Sequence, residues 1–571
     1  MNHASIELPR IVHDELLRKL DEPQEKHMAQ VLHAAEIEIP VKGLDRWTQQ
    51  QVTLGSLGSV SEHTLLLKPN LSSQHVLVID DGKVEEILSA EEKDAIEEDA
   101  KLPAWTIISD EFFLLTKLAY PMILAALFET VPGTVLLLMV GHVNPTESTQ
   151  IIAGFNLSGL VATLLLAGLL NGLSSAIDTL CSQAYGGKRM VEFWLFCQAG
   201  LLMYAICMPF MMAVLLGGSA ILKTLGQEIV ISNIAGKCLL ATAPGIPFSA
   251  VFFVMKSALQ AQNIVVPVAI TSVLGWVVGG ATAYFLAFHT SLGYMGIALA
   301  EPLCSIVKTL VLIPVMLQSE TFQESWPGWK PTAAMALVPK ISKLGVSSVL
   351  MVTLQLFGLS FITLLAGLLP NADIMITASS IILSIIALML VPLSGIYTSG
   401  AIRIGNALGA GKARRAALVG RVVVVGSVVV ATIGMVVSVF IARPYALAQT
   451  PNPQAIELGV ELTFKVLPIL PLIGFALGLQ AILRASGKQL LATKFNFVCM
   501  FIIGTPLGMW FAMNLDLGLL GLWLGNMAGF MVFTIAGIVW LKRLSWEQLA
   551  HDAKHNTHLV FAEAPAPAEA F

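Results

Sequence analysis

The chain has 571 residues, 56% of them hydrophobic and only 12% charged, and its mean hydropathy is +0.76. An average soluble domain is about 45–50% apolar and about 25% charged, so this balance excludes a disordered chain, argues against a water-soluble enzyme and points to a polytopic membrane protein. Residues 1–110 hold 10 Lys or Arg against 21 Asp or Glu, and the remainder holds 23 against 17; no basic stripe of the kind that neutralises nucleic-acid phosphates is present.

Residues 1–110 read as an acidic cytosolic N-terminal tail, largely disordered. Glu7, Asp14, Glu15, Asp21 and Glu22 fall where a secretory signal would need its apolar run. His75–Asp80, followed by Asp81-Gly82, has the form of a short strand and turn. From Phe112 onward apolar runs alternate with brief polar breaks. They predict spans at 113–140, 149–182, 191–217, 229–255, 264–288, 293–317, 342–369, 373–400, 415–442, 455–482, 490–513 and 518–541. Runs this long satisfy their backbone inside lipid only as helices. The expected organisation is an N-lobe over 111–317, a cytosolic inter-lobe loop over 318–341, a C-lobe over 342–542 and a cytosolic C-terminal tail over 543–571.

One alternating set of loops carries Lys188, Arg189, Lys256, Lys330, Lys340, Lys343, Arg403, Lys412, Arg414, Arg415, Arg484, Lys488 and Lys494; the other carries Lys223 and Arg443. Cytoplasmic loops are the ones rich in Lys and Arg, so both termini are expected in the cytoplasm, with the body in the plasma membrane or a vacuolar or other endomembrane.

The two halves share punctuation in order. Lys117-Leu118 and Gly141 match Lys343-Leu344 and Gly367 at an offset of 226, and Gln183–Gly186 matches Asn406–Gly409 at 223. Pro244 and Pro247 match Pro468 and Pro471 at 224, and Gly293 and Gly296 match Gly518 and Gly521 at 225. A parallel repeat implies a pseudo-two-fold axis along the membrane normal. The expected fold class is therefore all-α: twelve transmembrane helices as two pseudo-symmetric six-helix lobes around a central cavity. Such a cavity can open to either side, which makes a transporter the leading reading.

Charge inside a span costs about 2.5–3.5 kcal/mol near the helix centre on insertion scales, so it marks function. Glu129 lies mid-span in the first helix, Asp178 near the inner end of the second, and Glu301 beside Pro302 in the sixth. A buried carboxylate binds a proton or a cation but not both favourably, and that exclusion is the physical core of exchange. Asp178 is also close enough to the interface to cap a helix or pair with Lys188. Among basic residues, Lys237, Lys256, Lys308, Arg421 and Lys465 are placed to snorkel toward an interface, with Lys237 and Lys465 the mid-lobe candidates for pairing with an acid. Pro121, Pro132, Gly133 and Pro392 are the hinge candidates; bending near Pro132-Gly133 would change the exposure of Glu129, one turn away.

The six cysteines lie in or beside apolar stretches with no CxxC pair, and read as small packing residues. Gly409-Ala410-Gly411-Lys412 imitates a phosphate loop, but Asn406 and Ala413 stand where that loop needs Gly and Ser or Thr. No hydrolase or metalloprotease motif appears in the spans, and the chain is not read as an enzyme.

Ala176–Gly186, reading AIDTLCSQAYG, resembles the "DTLCGQAYGA" signature of the multidrug and toxic compound extrusion (MATE) family, eukaryotic type. Leu259–Gln262 resembles its "FLQAQ", Ala401–Gly411 its "STRVSNELGAG", Leu483–Gln489 its "VARGCGWQ" and Gly521–Gly525 its "GLWLG". The resemblance covers roughly residues 112–548. It implies a secondary antiporter that expels organic cations, xenobiotics or metabolites by alternating access in exchange for protons or sodium. No cofactor is implied beyond that coupling ion; the partners are a small organic substrate and membrane lipid, no nucleic acid, and the protein is expected as a monomer. Where such members carry coupling carboxylates in the seventh helix, this chain has Gln355 and Ser360, and Pro471–Gln480 in the tenth holds no acid. In the repeat Glu129 is the partner of Gln355, which places cation or proton coupling on Glu129, with Glu301 and Asp178 as further candidates. Gln355, Ser360, Gln260 and Gln480 are the cavity-lining candidates. An uncoupled facilitator, a lipid-precursor flippase of the same superfamily and a membrane receptor or sensor are the alternatives.

Overall fold

A computed structural model describes residues 99–143, 148–450 and 452–557, with isolated short pieces before residue 99. The chain divides into two units, Met1–Glu97 with Leu559–Phe571 and Glu98–His558. In the first unit Ile6–Glu7 pairs antiparallel with Gln51–Val52, and Thr64–Leu65 with Leu77–Val78. Leu77–Val78 falls inside the strand expected over 75–80. Of the tail expected to be disordered over 1–110, residues 99–110 are ordered, with Ala104–Asp110 already part of a helix; apart from the short pieces named, the tail before residue 99 and the chain beyond residue 557 lie outside the described residues.

The second unit is helical. We number its helices α1 (Ala104–Val143), α2 (Gln150–Gly186), α3 (Met190–Thr224), α4 (Ile229–Thr242 and Gly245–Ala261), α5 (Val266–His289) and α6 (Tyr294–Leu317). Then follow α7 (Pro331–Ala366), α8 (Ala372–Gly409), α9 (Ala413–Gln449), α10 (Pro453–Val466 and Ile469–Ala485), α11 (Gln489–Asn514), α12 (Gly518–Lys542) and α13 (Trp546–Thr557). Among the described residues ten helices are long and apolar enough to cross a membrane, and twelve when the two bent pairs α4 and α10 each count as one span. The protein is an all-α, polytopic integral membrane protein.

The repeat is visible in the backbone. α4 bends by 52° at Ala243-Pro244 and α10 by 57° at Leu467-Pro468, the same place once the offset of 224 is applied. Proline removes a backbone donor and crowds the preceding turn, so each copy of the motif breaks its helix. Left-handed residues recur too: Lys188 with Gly411, Asn263 with Gly487, and Gly293 with Gly518 all have φ between 53° and 74°.

Two segments are more structured than apolar runs alone indicate. α1 begins at Ala104 and α7 at Pro331, ahead of the spans expected at 113 and 342; just before them the Asp99 and Leu102 carbonyls accept from Arg414 and the Lys330 amide donates to Gln198. In the inter-lobe segment a short helix, Glu320–Ser325, is capped by the Ser319 hydroxyl accepting from the Phe322 amide. Trp194 of α3 packs edge-on against Phe322 and Trp326 and donates to the Ser325 hydroxyl at 2.9 Å. Gln198 receives the Lys330 amide and donates to the Gly328 carbonyl. The connector is thereby stapled to the first lobe.

The lobes meet most tightly at the end that carries Lys188, Arg189, Lys412, Arg414 and Arg415, the basic face. There the C-terminal ends of α2 and α8 cross so closely that a Cβ at Gly186 would overlap the backbone of Asn406, and one at Gly409 the backbone of Gln183. These two glycines are repeat partners. Farther along, Leu136 and Val140 of α1 pack into a cluster with Trp276, Ala283 and Ala300 of their own lobe, while Leu359, Ile362 and Ala366 of α7 join the core of the other. α1 and α7 thus diverge into separate lobes away from the basic face, and exposed apolar side chains at Leu127, Val135, Leu160, Phe357 and Leu364 lie on these parts of α1, α2 and α7.

Candidate functional site

Two sets of charged side chains lie inside the helical body. The first belongs to the N-lobe alone. Glu129 of α1 faces Lys256 of α4, with 4.0 Å between Oε1 and Nζ; their side chains are 38% and 19% exposed. Lys308 of α6 is only 7% exposed. Its ammonium sits over the rings of Phe252 and Trp276, 5.4 and 5.7 Å from their centroids, and interacts electrostatically with both Glu129 and Glu301. Glu301 is exposed and occupies the first turn of the segment Ala300–Leu317, where the helix dipole favours a carboxylate. It lies seven residues before Lys308, two turns along the same face. The result is a quartet of two carboxylates and two ammoniums, balanced in formal charge, with the acids more accessible than the lysines.

The second set spans the lobes. Asp178 of α2 and Arg484 of α10 form an ion pair through Oδ2 and Nη2, at 7% and 8% exposure. The Tyr397 ring of α8 faces the guanidinium at 5.2 Å. Beside it the Thr179 hydroxyl donates to the Arg484 carbonyl, the Gln183 amide donates to the Ala485 carbonyl at 2.7 Å, and Gln489 donates to Thr179. Nearer the basic face Arg403 of α8 holds Glu111 of α1 in a two-pronged bond of 2.8 and 3.0 Å, and Arg415 reaches both Glu111 and Asp99 at 3.5 Å. Burying a paired charge is tolerable, whereas leaving one unpaired is not, so every one of these acids is tied to the closed arrangement of the basic face.

The residues singled out in the sequence therefore separate. Glu129 faces Lys256, and Glu301 lies within electrostatic range of Glu129. Asp178 joins the inter-lobe contact, and its partner is Arg484 rather than Lys188. Gln260 and Gln480 are buried in the lower halves of α4 and α10, the latter donating to the Asn496 side chain at 3.4 Å; Gln355 is half-buried and Ser360 exposed on α7. The helical backbone runs on through Pro121, Pro132, Gly133 and Pro392, and the sharp bends fall at Pro244 and Pro468. Lys256 and Arg484, counted above as loop charges, are helical and inward, and Lys308 is held between rings instead of snorkelling. Removing Lys256 and Arg484 from the tally leaves the charge asymmetry between the loop sets intact. Lys237 and Lys465 do not join the quartet: Lys237 is exposed and Lys465 pairs with Glu461 one turn away at 2.6 Å.

Twelve spans in two repeated lobes, with ionisable groups within the spans and the lobes joined at one end, are the architecture of a membrane transporter. The MatE family model matches residues 121–285 and 347–510, one copy in each lobe. Among relatives, multidrug and toxin extrusion protein 1 of Oryctolagus cuniculus is 26% identical over 455 residues, 79% of this chain and 78% of its own length. Protein DETOXIFICATION 49 of Arabidopsis thaliana is 26% identical over 444 residues, 77% of this chain and 87% of its own. Among solved structures, the eukaryotic MATE transporter AtDTX14 superposes with a TM-score of 0.73 at 21% identity, covering 79% of this chain and 100% of that one. An outward-facing multidrug resistance MATE transporter superposes at 0.70 and 16% identity, covering 77% and 96%. The chain belongs to the MATE family of transporters.

Proposed function

We propose that this MATE transporter is a secondary active antiporter that extrudes organic cations, xenobiotics or metabolites in exchange for protons, or for sodium, with the N-lobe quartet as its coupling site. The observation that carries the reading is the contact of Glu129 in α1 with Lys256 in α4 at 4.0 Å, within electrostatic range of Glu301 and Lys308 in α6. An accessible carboxylate in an apolar lobe takes up a proton or a cation but not both favourably, so cargo arriving on one side expels the ion taken from the other. No cofactor enters the cycle. One proton falling through one pH unit supplies about 1.4 kcal/mol, enough for about a tenfold gradient of cargo. The loop charges favour the basic face and both termini in the cytoplasm, so the arrangement closed at that face is the one that releases cargo outward.

The test is flux of radiolabelled tetraethylammonium into proteoliposomes under an imposed pH gradient, with a sodium gradient as a second arm. The wild type should concentrate the label. Glu129→Gln should abolish concentration while leaving expression and monodispersity intact. Flux that only dissipates a cargo gradient would mark an uncoupled facilitator, and full transport by E129Q would overturn the assignment of the site.

A further inference from the structure

We propose that Lys256 is a tethered counter-ion: its ammonium occupies the cation position at Glu129 while cargo is absent, and cargo binds by displacing it. The site would therefore take an organic molecule presenting one compact positive charge, an ammonium or amidinium, in exchange for the protein's own. This rests on the antiport reading and adds to it a residue that sets cargo affinity and allows release.

Three observations lead there. The two lysines of the quartet are held very differently. Lys308 is 7% exposed and its ammonium sits over two aromatic rings, so it is a fixed charge. Lys256 faces a single ring, Phe253, at 5.4 Å. Its 4.0 Å approach to Glu129 is longer than a charge-assisted hydrogen bond of about 2.7–2.9 Å. A four-carbon stem with a strongly hydrated head can swing away from such a contact.

Accessibility is graded in the matching order. The Glu129 side chain is 38% open and that of Lys256 half as much. An arriving cation meets the carboxylate before it meets the lysine, and Glu301 is open beside it.

The repeat supplies a built-in control. At the offsets of 226, 224 and 225 established above, Glu129, Lys256, Glu301 and Lys308 correspond to Gln355, Gln480, Asn526 and Phe533. The C-lobe thus builds the same six helices with no charge at any of the four positions. The charges are not what holds a lobe together, and glutamine fits where Lys256 stands.

The experiment measures equilibrium binding of tetraethylammonium to the full-length protein in nanodiscs at fixed pH, together with turnover in proteoliposomes. Lys256→Gln, the residue that the other lobe carries at this position, should bind about tenfold more tightly, within the usual range of coupling between linked sites. It should also turn over more slowly, because only the coupling ion remains to displace the cargo. Lys256→Arg should restore wild-type affinity, and Lys308→Met should not reproduce the tightening. Unchanged or weaker binding by K256Q, with a normal elution profile, would overturn the proposal. Should K256Q not fold, K256M is read in its place by the same criterion. The outcomes stay separable from those of the antiport reading. If E129Q loses coupled flux and K256Q binds as the wild type does, only the counter-ion is wrong. If E129Q transports normally, the coupling site itself is wrong.

Discussion

The two lobes are copies in their backbone and opposites in their chemistry. Both bend one helix by more than 50° at the same proline motif, and both turn through left-handed residues at matching points. Yet Glu129, Lys256, Glu301 and Lys308 in one lobe face the neutral counterparts Gln355, Gln480, Asn526 and Phe533 in the other. The inter-lobe lock is one-sided in the same way. Asp178 and Arg484 pair, while their repeat partners are Ala401 and Gln260. The crossing of α2 over α8 is different, since both repeat-related glycines take part. Symmetric features let the lobes close. Asymmetric ones decide what closing responds to.

The largest effect should come from trying to move the asymmetry. E129Q is expected to bring pH-driven uptake down to the level of empty vesicles, and adding Gln355→Glu to it should not restore transport. Gln355 has no lysine across from it, because Gln480 and Phe533 stand where Lys256 and Lys308 would. A transplanted glutamate that restored concentrative flux would show the lobes to be interchangeable and the comparison to be without functional content.

Next in size is the one-sided lock. Asp178→Ala leaves Arg484 buried without its counter-charge, which costs about 3–5 kcal/mol and should appear as a large fall in thermal stability in detergent. Removing both charges, as D178A with Arg484→Met, should recover most of that loss, since a buried pair is often replaceable by apolar groups. If the double variant is as unstable as the single one, the pair is not the unit that matters, and the hydrogen bonds of Thr179 and Gln183 are.

Much of this was legible in the sequence, and the exceptions have a common cause. The spans and the repeat follow from hydropathy and from ordered punctuation, and Glu129 and Glu301 stand out by the cost of charge in lipid; of the prolines, the repeat landmarks Pro244 and Pro468 break their helices, whereas the backbone stays helical through the hinge candidates Pro121, Pro132 and Pro392. Lys256 and Lys308 were missed because a long basic side chain near a span end has two outcomes, snorkelling or turning inward, and local sequence does not separate them. The repeat does: the partner of Lys308 is Phe533, 1% exposed, and that of Lys256 is Gln480, 2% exposed, so both positions face protein. Arg484 was hidden in the same way, two residues before a polar turn, and Asp99 and Glu111 because their partners lie about 300 residues away in the other lobe. Such pairings depend on how the lobes close, which hydropathy does not encode.

The symmetric crossing yields a smaller and paired effect. Gly186→Ala and Gly409→Ala should each disfavour closure of the basic face by about 1–3 kcal/mol, the usual cost of overpacking. The measurement is the distance distribution between spin labels placed on that face of the two lobes, which should shift toward longer separations. Because the two glycines are repeat partners, the shifts should be of similar size. A shift from one substitution and none from the other would place even this contact among the asymmetric features.

The smallest effect concerns α13, which at 12 residues is twice as long as its counterpart in the repeat, the six-residue helix Glu320–Ser325. Its apolar face, Leu549, Ala550 and Ala553, packs with Ala401, Ala416 and Ile482 in a cluster of C-lobe residues joined by Leu115 of α1. Its last turn accepts from the N-lobe, where Arg189 donates to the Lys554 carbonyl and to the Thr557 hydroxyl, both at 2.6 Å, and from the start of α7, where Lys340 reaches the Asn556 carbonyl. Cations at a helix C-terminus satisfy carbonyls that have no intrahelical partner and complement the dipole. The helix is therefore held by one lobe through its flank and by the other through its end, a clasp across the closed face. Arg189→Ala removes two bonds from a half-buried site and should cost about 1–2 kcal/mol of closure, read by the same labels and less than for either glycine. Were R189A to shift the distances more than G186A, the closed state would depend on this clasp rather than on the helix crossing beneath it.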